Sequence, residues 1–213
     1  MLEVKDLHVS IESVQVLRGL SLTLHNGAMS GLVGRNGAGK TSFMRSVMGH
    51  LQPSSGTMVF NGEDLTKLPP EARAALGIGY MPEDRGLVPE LTVEENILIP
   101  LWVSPNLNAQ ERLRFVYGVL PEVEAMSDRK ALLLSGGQQK LVALARALVI
   151  GIKLLLLDEP FEGVAPALSI RLSDVISGLR GMDLSVLIAQ SDLNHSSSLV
   201  SQEVVIERGA NVA

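Results

Sequence analysis

The sequence predicts an α/β protein built on a mostly parallel sheet with helices wound over both faces, and three observations predict it. Strand-like apolar runs alternate with helix-like periodicity along the chain, as a doubly wound sheet requires. Of the 213 residues 46% are hydrophobic but only 3% aromatic, an aliphatic composition suited to strands buried on both faces. A glycine-rich loop joins one such strand to a helix, the kind of junction at which open α/β sheets bind ligands. The length suits one domain with room for a small lobe.

The elements follow in order. Leu2, Val4, Leu7 and Val9, then Leu20, Leu22 and Leu24, alternate with polar residues and read as half-exposed strands, the second closed by His25-Asn26-Gly27. A short strand through Leu32-Val33 enters the glycine-rich loop. Phe43, Met44, Val47, Met48 and Leu51 then recur at helical spacing. Strands are expected at Thr57 to Phe60, closed by Asn61-Gly62, and at Ile78 to Met81, stopped by Pro82.

Between Glu90 and Leu134 the pattern turns helical. Thr92 with Glu95, and Asn108 with Glu111, have capping-pair spacing, and Leu113, Val116, Tyr117 and Leu120 form a stripe ended by Pro121. Residues 90–134 therefore read as a small helical lobe inserted in a core of 1–89 and 135–213. Beyond it come a helix from about Gln138 to Val149, a buried strand Leu154 to Leu157, a helix near Ala167 to Leu179, and strands Val186 to Ala189 and Val204 to Ile206.

Composition narrows the function. A net charge of −5, with no Lys/Arg cluster interleaved with aromatics, argues against a nucleic-acid partner. Cysteine is absent, which excludes disulfides and thiolate metal sites. The longest apolar candidate, Leu148 to Leu157, is broken by Gly151 and Lys153 and falls short of the roughly 20 residues that cross a bilayer. The N-terminal residues lack the apolar core of a secretory signal.

Three strings carry chemistry. Gly34-Arg35-Asn36-Gly37-Ala38-Gly39-Lys40-Thr41, followed by Ser42, has the phosphate-loop pattern between strand and helix, so that backbone N–H groups and the helix's positive end face a phosphate. Lys40 is expected to reach the β- and γ-phosphates and the Thr41 hydroxyl to ligate Mg²⁺. At average composition this pattern arises by chance in about one chain in a hundred or fewer. Leu134-Ser135-Gly136-Gly137-Gln138 places a serine and two glycines at a second helix N-terminus, again suited to an anion.

Leu154-Leu155-Leu156-Leu157-Asp158-Glu159-Pro160 is a buried strand delivering two carboxylates at its C-terminal end. Asp158 is the candidate for holding Mg²⁺ and Glu159 for polarising the attacking water. Taken alone, a strand-ending Asp-Glu pair is as ordinary at a surface as in a site.

In this order the three strings resemble the ATP-binding cassette family of transporter subunits over nearly the whole chain. The resemblance implies a P-loop ABC-type cassette with an N-terminal antiparallel β subdomain and a small helical subdomain, an ATPase using ATP and Mg²⁺. It also implies a head-to-tail dimer, homo- or heterodimeric, with each ATP between one copy's Gly34 to Thr41 loop and the other's Leu134 to Gln138 signature. Implied partners are transmembrane permease subunits and, indirectly, a substrate-binding protein, with the chain cytoplasmic and peripheral on the membrane's inner face.

Tyr80-Met81-Pro82-Glu83, Leu91 to Asn96 and Asp158 to Pro166 resemble the branched-chain amino-acid and amide importer subgroup. Glu83 stands where most cassettes have a glutamine linking Mg²⁺ and water to the membrane subunit, and a carboxylate also ligates Mg²⁺. Two positions depart from the family. Ile11 is expected where an aromatic stacks on adenine, and offers apolar contact without π-stacking. Ser191 takes the place of the switch histidine, while His195, four residues on, is a surface histidine or a group one helical turn away. These departures imply as an alternative a degenerate subunit that binds ATP and hydrolyses it weakly in a heterodimeric transporter.

Overall fold

Strands β1 (Leu2–Ile11) and β2 (Val14–Leu24) form an antiparallel hairpin, and β4 (Pro53–Phe60) and β5 (Glu63–Asp64) complete a four-stranded sheet in the order β2-β1-β4-β5. The computed structural model describes residues 1–192 and 198–212. The second strand begins at Val14, well before the leucine run that marks it in the sequence. Register shifts in the β1–β2 ladder between Val4 and Leu7, Leu7 and His8, and Val9 and Ser10 explain why alternation alone does not reveal its start.

The second sheet holds β3 (Met29–Val33), β6 (Ile78–Met81), β7 (Leu154–Asp158), β8 (Ser185–Gln190), β9 (Gln202–Glu207) and β10 (Ala210–Asn211), in the order β10-β9-β3-β8-β7-β6. From β9 to β6 every neighbouring pair is parallel, and β10 pairs antiparallel at the edge. The expected α/β class, with a mostly parallel core and an antiparallel N-terminal sheet, is what the chain adopts.

Four leucines of β7 show how the core is divided. Leu154 and Leu156 pack with α1 (Lys40–Val47) and the antiparallel sheet, whereas Leu155 and Leu157 pack with the helical segment and α6 (Gly136–Ile150). Successive strand residues point to opposite faces, so one apolar run feeds two cores. The helical segment contains α3 (Val93–Leu98), α4 (Ala109–Val119) and α5 (Pro121–Glu124).

Thr92 and Glu95 form a reciprocal capping box at α3, with bonds of 2.8 and 3.2 Å. Asn108 caps α4 by accepting the Glu111 N–H at 3.1 Å, without the return bond.

The helix after the glycine-rich loop is shorter than its apolar stripe, since α1 ends at Val47 and Gly49 turns the chain at φ 84°. Its last carbonyls are capped from a distance. Arg73, fully buried on α2 (Pro70–Ala75), donates to the Ser46 and Val47 oxygens at 2.6 and 3.0 Å. This six-residue helix has too few turns to show periodicity in the sequence. Before α7 (Pro166–Gly178), the last helix among the described residues, the chain leaves β7 through Glu159 to Ala165.

Candidate nucleotide site

Parallel strands β3, β8, β7 and β6 are adjacent, so their C-terminal ends bring together the Gly34 loop, Ser191, the Asp158-Glu159 pair and Glu83. A cleft of about 590 Å³ opens there, lined among others by Asn36, Gly37, Gly39, Lys40, Thr41, Ser42, Glu83 and Glu159. Two glycines of the loop are sterically required. A Cβ on Gly34 would sit 2.3 Å from the Ile206 oxygen, and Gly39 turns at φ 112° with its open side 3.0 Å from the Val16 oxygen.

Lys40, the first residue of α1, is 5% exposed. Its Nζ donates to the Gly34 oxygen at 2.6 Å and lies 3.1 Å from Glu159 Oε1. The phosphate-loop lysine and the water-polarising candidate therefore meet across the cleft. Glu159 sits at φ 48°, a left-handed conformation that costs a non-glycine residue about 1 to 3 kcal/mol and is characteristic of functional sites. Burial holds its carboxyl above the ordinary value, opposed by the Lys40 ammonium and by the Ser191 backbone N–H, which bonds to the carboxylate.

Asp158 is fully buried and its Oδ1 has no hydrogen-bond partner. Burial, with the Glu83 and Glu159 charges adding to it, pushes its carboxyl up to about 6, while the Thr41 hydroxyl and Tyr80 (Oη to Oδ2, 3.4 Å) offset part of this. An orphaned carboxylate oxygen beside a hydroxyl and a second carboxylate fits a hard cation. Among the described residues there is no cluster of three or more His, Cys, Asp or Glu, and Mg²⁺ needs none, because substrate phosphates and water complete its shell.

The raised proton affinity of Asp158 ties stability to pH. The native state keeps this proton at pH values where the unfolded chain has lost it, so stability falls as pH rises from about 4 to 6 and remains lower above that range. The penalty amounts to about 3 kcal/mol. Asp158→Asn is expected to raise the melting temperature of the nucleotide-free, EDTA-treated protein by about 6 to 12 °C at pH 8, with the gain shrinking toward pH 4.5. An unchanged melting temperature at pH 8 would contradict it.

The second anion-seeking element is tightly organised. Ser135 Oγ accepts the Gln138 N–H at 3.3 Å and Gln138 Oε1 accepts the Ser135 N–H at 3.0 Å, a capping box that opens α6. The N–H groups of Gly136 and Gly137 then face outward along the helix axis. The S-x-x-Q spacing was a readable signal for this box, the same one that marks Thr92 and Glu95. Arg85, at φ 69°, donates to Gln139 Oε1 at 3.0 Å and lies beside Gly136, adding positive charge to the helix tip.

Ile11 is not among the residues lining the cleft; its register partner Val14, together with Val16, Arg18 and Arg208, lines the side expected of it. Arg208 reaches the loop through the far end of the chain, where Gly209 donates to the Ala38 oxygen at 2.8 Å and accepts the Arg18 N–H at 2.7 Å. Nothing in the local sequence announces this. Ser191 is exposed at the end of β8, and His195 lies outside the described residues.

Strand, glycine-wrapped lysine, helix and strand-end carboxylate together define a P-loop nucleoside triphosphatase. The family model described as "ABC transporter" matches residues 17–162. The lipopolysaccharide export system ATP-binding protein LptB of Escherichia coli (strain K12) is 33% identical over the whole chain and 89% of its own length. The high-affinity branched-chain amino acid transport ATP-binding protein BraG of Pseudomonas aeruginosa is 32% identical, over 92% of this chain and 84% of its own.

A solved nucleotide-free ATP-binding cassette from an ABC transporter superposes with a TM-score of 0.85 at 27% identity, covering 100% of this chain and 90% of the other. The chain belongs to the ABC transporter ATP-binding family. As a member it is an ATPase whose cofactors are ATP and Mg²⁺.

Proposed function

We propose that this chain is the ATP-hydrolysing subunit of a transporter that imports branched-chain amino acids or related amides, working as a head-to-tail dimer beneath transmembrane permease subunits. The observation that carries the hydrolytic part is the 3.1 Å approach of Lys40 Nζ to Glu159 Oε1 beside the orphaned Asp158 oxygen. Lys40 and the loop N–H groups hold the phosphates, and the strained Glu159 aims a carboxylate of raised proton affinity at the attacking water. Thr41, Asp158 and Glu83 would hold Mg²⁺, which when bound neutralises charge on the phosphate oxygens.

A second cleft of about 900 Å³ supports the permease partner. Arg45, His50, Tyr80, Glu83, Ile99 and Pro100 are among its lining residues, so it lies between the core and the helical lobe. Thr41 and Glu83 border both clefts, which gives a bound permease segment a direct route to the phosphate site. No helix among the described residues is long and apolar enough to cross a membrane, so translocation needs such a partner. On this reading the chain works at the membrane's inner face.

Import rests on the subgroup strings and the similarity to BraG; the similarity to LptB favours export of a lipid as the second reading. A tagged chain captured from detergent-solubilised membranes is expected to bring down polytopic partners and to turn over ATP steadily. Co-capture of an amino-acid-binding subunit supports import. A bound lipid cargo supports export, and stoichiometric ATP binding without turnover in the complex supports the degenerate subunit implied by Ser191.

A further inference from the structure

Lys140 lies in the second turn of α6, among apolar neighbours, and is 2% exposed. Its Nζ donates to two backbone oxygens on the segment leaving β7, that of Glu159 at 2.9 Å and that of Glu162 at 2.6 Å. The Glu159 oxygen also accepts the Glu162 N–H at 3.2 Å, and the Glu159 N–H donates to the Ala189 oxygen at 3.0 Å. The left-handed residue is thus pinned on both sides of its own Cα.

We propose that Lys140 is a positioning residue for hydrolysis, holding the Glu159 peptide in its left-handed conformation and thereby aiming the carboxylate. The inference rests on the reading of Glu159 as the water-polarising group.

An ammonium suits this role because it is compact and carries three donors that can serve carbonyls diverging from a turn. Burying it is unfavourable, and burial followed by the Arg85 charge pulls its proton affinity down, while Glu162, Glu159 and Glu83 oppose that. A helix that needed only packing here would be better served by leucine or methionine. The same helix is capped by Ser135, so the ammonium also links each chain's signature tip to that chain's own glutamate. Only four residues separate Ser135 from Lys140.

A double-mutant cycle tests the proposal. Lys140→Met in the full chain is expected to lower kcat about tenfold or more, as misaimed catalytic groups do, with KM for ATP within about twofold of the parent. In a Glu159→Gln background the same substitution should leave residual turnover, read in single-turnover with radiolabelled ATP, unchanged within about twofold. Lys140→Arg, which keeps donors at the site, should recover most of the loss.

An equal loss in both backgrounds, a loss seen in KM instead of kcat, or full activity of Lys140→Met overturns the inference while leaving the role of Glu159 intact. Normal turnover of Glu159→Gln itself overturns both. Should Lys140→Met fail to fold, Lys140→Gln and Lys140→Arg run the same cycle, with ATP affinity and melting temperature checked in each.

Discussion

Glu159→Gln is expected to keep ATP and lose turnover by about 100-fold or more, the usual worth of a positioned general base. The amide preserves shape and retains an oxygen toward Lys40 Nζ, so the phosphate loop stays intact. What disappears is a carboxylate able to take a proton from water. Bound ATP then outlives the encounter of two subunits, and the nucleotide-loaded species should accumulate as a dimer in size-exclusion chromatography with light scattering. The substitution also leaves the buried Lys40 ammonium without its charged partner, so the nucleotide-free protein should melt somewhat lower than the parent while still folding. Turnover at the parental rate would take Glu159 out of the mechanism.

The second large effect is expected at the tip of α6. Gly136→Asp places a carboxylate at the first helical position, where the macrodipole favours it and the Arg85 guanidinium lies within about 4 Å of the new Cβ. Gly136 does not have a positive φ, so the new side chain introduces no backbone strain. The helix should therefore be as stable or more so. A triphosphate approaching the same N–H groups meets negative charge instead of a positive helix end, and dimer formation with ATP should fail.

Loss of turnover by about 100-fold, with ATP affinity of the separated subunit unchanged, is the expected pattern. Retained turnover would mean that this tip does not touch nucleotide. The opposed signs of stability and activity separate the outcome from misfolding.

The two anion-seeking elements were legible because glycine patterns at strand-helix junctions have few other physical uses. The rim of the cleft was not legible in the same way. Val14 and Val16 border the cleft across from Ile11, on a ladder that slips at three points, and such a pairing cannot be counted off along one strand. Lys140 likewise reads in sequence as one cation in an apolar helix, and its carbonyl partners lie 19 and 22 residues away. Arg73 caps a helix 26 and 27 residues earlier in the chain. Side chains whose partners are distant leave no periodic signature.

The sequence by itself determined the class of protein, the phosphate loop, the signature tip and the two strand-end carboxylates, because each depends on backbone chemistry confined to a few consecutive residues. Only the tertiary structure decided which strands lie side by side, which residues border the cleft, and that Asp158 is buried enough to titrate near 6. Burial and electrostatic coupling are properties of neighbours in space, and the order of strands β3-β8-β7-β6 is what makes those residues neighbours.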